Sequence, residues 1–97
     1  MMESSGKSGR KSAAALQYDA EKDVAPRLVA KGRGVIAEKI LQIARESKVP
    51  IYEDRTLVEL LIKLDLGDYI PPELYQAVAE VLVFIYRLER RAKEGKL

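Results

Sequence analysis

The sequence predicts a small single-domain α/β protein, with a mixed sheet of about three strands covered by about three helices in a three-layered arrangement. Three observations lead there. A clearly amphipathic stretch at residues 34–47 lies between two short apolar runs, the pattern of strand, crossover helix and strand. A second apolar helix pattern at 55–64 is closed by Gly67. A third, 71–91, opens on Pro71 and Pro72, where a missing amide hydrogen costs a helix nothing. A chain of 97 residues has room for one core.

Residues 1–12 are rich in Ser, Gly and Lys and read as a flexible arm. The Gly6-Lys7-Ser8 tripeptide resembles the end of a phosphate loop but lacks the preceding glycine and strand, so it is treated as linker. Residues 13–18 form a first strand, ended by the charged turn 19–23. Pro26 then sits at the start or edge of a second strand, 27–30. Gly32 and Gly34 permit a sharp exit into the helix; contact with a partner at Lys31-Gly32 is the alternative. In that helix Ile36, Ile40, Ile43 and Ala44 share a face that should pack on the sheet, opposite Glu38, Lys39, Gln42, Arg45 and Glu46. A third strand at 50–52 should pair parallel with the second through a right-handed crossover. Asp54 or Thr56 can cap the next helix, Thr56 and Glu59 having capping-box spacing. The domain is therefore expected over 13–91, followed by a basic tail at 92–97.

The composition excludes whole classes of chemistry. The chain has no Cys, His or Asn, so disulfides, thiolate sites and the commonest general base and metal ligand are missing. No pair of carboxylates lies isolated in apolar sequence, as general acid and base work would need. The expectation is a protein that is not an enzyme, with no cofactor and no metal. The net charge of +2 is carried at the ends: residues 87–97 hold five basic against two acidic groups, residues 13–86 nine against twelve. That is not the concentrated basic face of a nucleic-acid binder. Glu80 and Arg87 interrupt the longest apolar run, and the first twelve residues contain no signal-peptide core, so a cytoplasmic location is expected.

The last helix carries more apolar surface than one core requires. Its polar positions Glu73, Gln76, Glu80 and Arg87 crowd into a narrow wedge, while apolar residues fill most of the remaining circumference. The surplus is either the second buried face of a sandwiched helix or a surface for a partner, with Val78, Val81 and Ile85 at its centre and Ala79 and Leu82 on the flank.

Four groups of residues in order, Ala15-Leu16-Gln17-Tyr18-Asp19, Ala25-Pro26 with Val29-Ala30-Lys31-Gly32, Val49-Pro50-Ile51 with Glu53, and the run from Gly67 to Leu82, resemble the cytoplasmic domain of the FlhB family, the export-switch proteins of flagellar and virulence type III secretion. The resemblance covers residues 13–88. It implies a non-enzymatic interaction module of the export apparatus, peripheral to the membrane through partners only, with export-gate proteins and rod or hook-type export substrates as partners. It also implies that Ala25, Pro26, Ala79 and Leu82 line a small apolar docking surface. The alternative is a general adaptor or dimerising domain unrelated to export.

Two departures from the family pattern matter. Its members carry a transmembrane half before this domain, which is not found in this sequence. They also cut themselves at Asn-Pro-Thr-His, where the asparagine amide attacks its own carbonyl carbon; here Ser8-Gly9-Arg10-Lys11 stands there. The resemblance therefore implies a stand-alone counterpart of the released fragment, lacking the strand before the motif and leaving a sheet edge open. With no Asn available, the purified chain should keep one intact mass through prolonged incubation. Mass spectrometry finding a specific break between Ser8 and Gly9 would refute this.

Overall fold

The computed structural model describes the backbone of residues 2–5 and 11–94, and the side chains of 11–91. In chain order the elements are β1 (Met2–Ser5), β2 (Lys11–Gln17), β3 (Arg27–Arg33), α1 (Val35–Glu46), β4 (Tyr52–Glu53), α2 (Arg55–Ile62), a 3-10 turn (Pro72–Leu74) and α3 (Tyr75–Glu94). The sheet has four strands in the order β3-β2-β1-β4. β2 pairs antiparallel with both β1 and β3, and β4 pairs parallel with β1.

The three layers follow from strand periodicity. Successive side chains of β2 point to opposite faces. Ala13 meets Ala37 and Leu41 of α1 on one face. Ala14, on the other, joins Leu28, Leu57, Val58, Leu61, Val78 and Val81 from β3, α2 and α3. Being covered on both sides, β2 is buried continuously from Ser12 to Ala15, which explains why its sequence shows an unbroken apolar run rather than alternation.

Four expectations are corrected. β4 does not pair with β3; β2 and β1 lie between them, and the parallel partner of β4 is β1. The sheet is not short of the strand preceding Ser8, because Met2–Ser5 occupies the interior position between β2 and β4. Accordingly residues 2–5 and 11–12, read as part of an arm, lie in strands, while 6–10 fall outside the described residues. Sequence polarity concealed β1: a strand paired on both sides is held by backbone hydrogen bonds, to which composition is blind. Lastly, α1 buries Ala37, Leu41 and Ala44 rather than an isoleucine stripe, leaving Ile36 and Ile43 59% and 54% exposed. The small alanines turn inward since they let the helix approach the sheet closely. A Cβ on Gly32 would overlap Ile36, so this glycine too serves the close approach.

Local chemistry sets the remaining boundaries. Gly34 enters α1 at φ 59° and ψ −125°, a conformation open essentially to glycine. Asp54 caps α2, its carboxylate accepting from the Leu57 amide at 3.0 Å. Glu59 is thus free to take the Arg33 guanidinium in a two-pronged pair at 2.9 and 2.7 Å, which ties α2 to β3. Arg33 also donates to the Ser12 hydroxyl at 3.1 Å. At the far end of α2 the Lys31 ammonium donates to the carbonyls of Ile62 and Leu64 at 3.1 and 2.6 Å, satisfying helix-end acceptors.

The Arg33 hydrogen bond holds the Glu59 carboxyl below its ordinary range. A depressed folded-state pKa means that this stabilisation is present above the unfolded value, about 4.3, and is lost as pH falls through the folded value. Both groups are solvent-exposed, so the effect is small. Melting temperatures of the native chain and Glu59→Gln should differ at neutral pH and converge as pH falls from about 4.3 through the lower folded-state value. A gap that persisted at low pH would show that the carboxylate charge is not its source.

Candidate functional site

The candidate site forms where two connections, those after β2 and after α2, meet the first turns of α3. After β2 the chain reverses through residues 19–23. The Asp19 carboxylate accepts from the Glu21 amide at 2.9 Å, that of Asp23 accepts from the Asp19 amide at 2.9 Å, and the Lys22 and Asp23 amides bond the Asp19 carbonyl. This reversal carries Val24, Ala25 and Pro26 back beside Tyr18.

The loop after α2 is strapped to the edge of β3. The Leu28 amide donates to the Asp68 carbonyl at 2.9 Å, the Gly67 amide to the Leu28 carbonyl at 2.7 Å, and the Ile70 amide to the Pro26 carbonyl at 2.9 Å. Gly67 makes the turn possible at φ 89°. Ile70 is thereby fixed against Pro26, and Pro71 and Pro72 launch α3 across both.

The result is an open depression of about 130 Å³ lined by Tyr18, Val24, Ala25, Pro26, Ile70, Tyr75, Val78, Ala79 and Leu82. Ala25, Pro26, Ile70 and Val78 are buried and form its floor, Leu82 is half-buried, and Tyr18, Val24, Tyr75 and Ala79 stand exposed at the rim. The four residues singled out from the sequence, Ala25, Pro26, Ala79 and Leu82, are thus brought together, two in the floor and two higher on the wall.

Among the described residues the lining offers apolar contact, two phenol hydroxyls and no carboxylate, amine or guanidinium. Its volume is below the roughly 300 to 1,000 Å³ of small-molecule sites, and suits one aliphatic side chain of a peptide. Sequence reading missed Tyr18, Val24, Ile70 and Tyr75. The signal for the first two was available: aspartates at both ends of 19–23 mark a tight reversal that must place residue 18 near residue 24.

The apolar surplus of α3 divides. Val78 and Val81 are buried and Ile85 half-buried, as a core-facing stripe requires. Val83, Phe84, Tyr86 and Leu88 remain 39% to 64% exposed. Phe84 is braced from the sheet side by Tyr52 of β4, ring centres 4.9 Å apart and edge to face. No helix among the described residues is long and apolar enough to cross a membrane.

Comparison with known proteins agrees on one family. The family model described as "FlhB HrpN YscU SpaS Family" matches residues 10–85. The uncharacterized protein YlqH of Bacillus subtilis is 50% identical over 84 residues, covering 87% of this chain and 90% of that one. The flagellar biosynthetic protein FlhB of Yersinia enterocolitica is 42% identical over 86 residues, 88% of this chain but 22% of its own length. The crystal structure of the cytoplasmic domain of FlhB from Shewanella putrefaciens superposes with a TM-score of 0.81 at 29% identity, covering 96% of this chain and 70% of that domain. This chain therefore spans most of YlqH and about a fifth of the FlhB relative.

Proposed function

Because this chain belongs to the FlhB HrpN YscU SpaS family, we propose that it is a non-enzymatic interaction module of a flagellar, type III protein export apparatus. It acts in the cytoplasm, at the export gate, as the counterpart of the cleaved C-terminal fragment of the export switch. Its task is to dock export substrates of the rod and hook type, or gate components, in the depression between Pro26 and α3.

The convergence of Ala25, Pro26, Ala79 and Leu82 from two distant segments on one small apolar depression carries this reading. A floor fixed by backbone hydrogen bonds is pre-organised and loses little entropy on binding. The contact remains small, so affinity for a lone substrate segment should be of order micromolar or weaker. Immobilised chain is expected to retain purified rod or hook subunits, or the soluble domain of an export-gate protein, and to release them to excess free chain. Retention of none of these would refute the reading.

A further inference from the structure

We propose that the docking site continues along α3 to a cationic end, and that the segment it takes is an extended peptide with an apolar anchor followed by acidic residues. This rests on the docking reading above and adds the chemistry of the ligand.

Ala79 is the link. It lines the Pro26 depression and also a second one that runs over Val83 to Phe84 and Arg87. Phe84 and Arg87 in turn line a third, shared with Leu88 and Arg91. The three depressions thus form one track along the exposed side of α3. It starts apolar and ends at arginines set beside Phe84 and Leu88, the latter two about two-fifths exposed each. Both Arg87 and Arg91 are exposed, and guanidinium groups favour carboxylates, which they grip two oxygens at a time.

The spacing is set by the helix. From Ala79 to Arg87 and Arg91 the rise is about 12 to 18 Å at 1.5 Å per residue, which an extended peptide crosses in about four to five residues. Glu80 borders the track just past the apolar end. It repels a carboxylate placed next to the anchor and so favours a neutral spacer. A line of apolar side chains leading into a depression of side-chain size fits one peptide strand; a lipid surface would need those residues spread over a plane.

The test is fluorescence anisotropy on the full chain with labelled nonapeptides carrying a Val-Leu anchor, a four-residue Ser and Gly spacer, and an end of Asp-Asp-Glu, of serines or of lysines. At about 50 mM salt the acidic peptide should bind about ten-fold tighter than the serine peptide. The ratio should shrink below about two at about 500 mM, where the screening length falls to roughly 4 Å. The double variant Arg87→Glu, Arg91→Glu should abolish the advantage, favour the lysine peptide and leave the serine peptide unchanged. Equal binding of acidic and serine peptides overturns this inference and leaves the apolar docking site standing; binding of neither overturns both. An acidic advantage that survives the double variant also overturns it. So does binding of phosphatidylserine vesicles, lost in the variant, without binding of the acidic peptide.

Discussion

Val78→Asp should unfold the domain, whereas Ala79→Glu, one residue further on, should leave it folded and unable to hold its partner. Val78 is 1% exposed, within the cluster formed by Leu28, Val58 and Leu61. An unpaired carboxylate there costs several kcal/mol, against a total stability of about 5 to 15 kcal/mol for a domain of this size. Ala79 is exposed on the rim, where substitutions typically change stability by less than about 0.5 kcal/mol. Circular dichroism melts should show no folded baseline for the first variant and a nearly unchanged transition for the second. Retention of rod or hook subunits should fall about ten-fold or more for Ala79→Glu, since a charge would replace apolar contact at the mouth of the depression. If Ala79→Glu retains them as well as the native chain, docking occurs elsewhere.

Leu28→Ala should have the next largest effect. Leu28 is fully buried at the centre of the larger core cluster, and its backbone clamps the loop that carries Ile70. Truncating a leucine in such a place costs about 2 to 5 kcal/mol, lowering the melting temperature by roughly 10 °C or more. The loss should reach the candidate site before global unfolding. Hydrogen exchange at the Gly67 and Ile70 amides, which bond the Leu28 and Pro26 carbonyls, should accelerate more than exchange within α1. Uniform acceleration in both places would show that the loop is not fastened through Leu28.

Much of this architecture was legible in the sequence because side-chain pattern determined it. The helix read at 34–47 spans Val35–Glu46, that read at 55–64 spans Arg55–Ile62, and the turn at Pro72–Leu74 with α3 covers the segment read from 71. Caps and glycines marked those boundaries. β1 was not legible: Met-Glu-Ser-Ser has neither alternation nor β-branched residues, and its place in the sheet rests on pairing with segments far along the chain. The inward turn of the alanines in α1 was also hidden, because amphipathic reading weights bulk apolarity while close packing against Ala13 rewards small residues. At the candidate site, Ala25, Pro26, Ala79 and Leu82 were recognised through family resemblance, whereas the tyrosine rim required knowing how the chain folds back on itself.

The interior position of β1 also governs the order in which the sheet can be completed. β2 and β3 are joined by a short connection and α1 follows directly, so this half is rich in local contacts. β4 pairs with β1, about fifty residues earlier in the chain. Closing a loop of that length precedes any reward from the parallel pairing, and such non-local contacts slow folding. The β2, β3 and α1 half should therefore consolidate first, holding β1 along β2 as a template until β4 arrives. The depression between Pro26 and α3 belongs to the face that should finish late, since α3 is the last element in the chain.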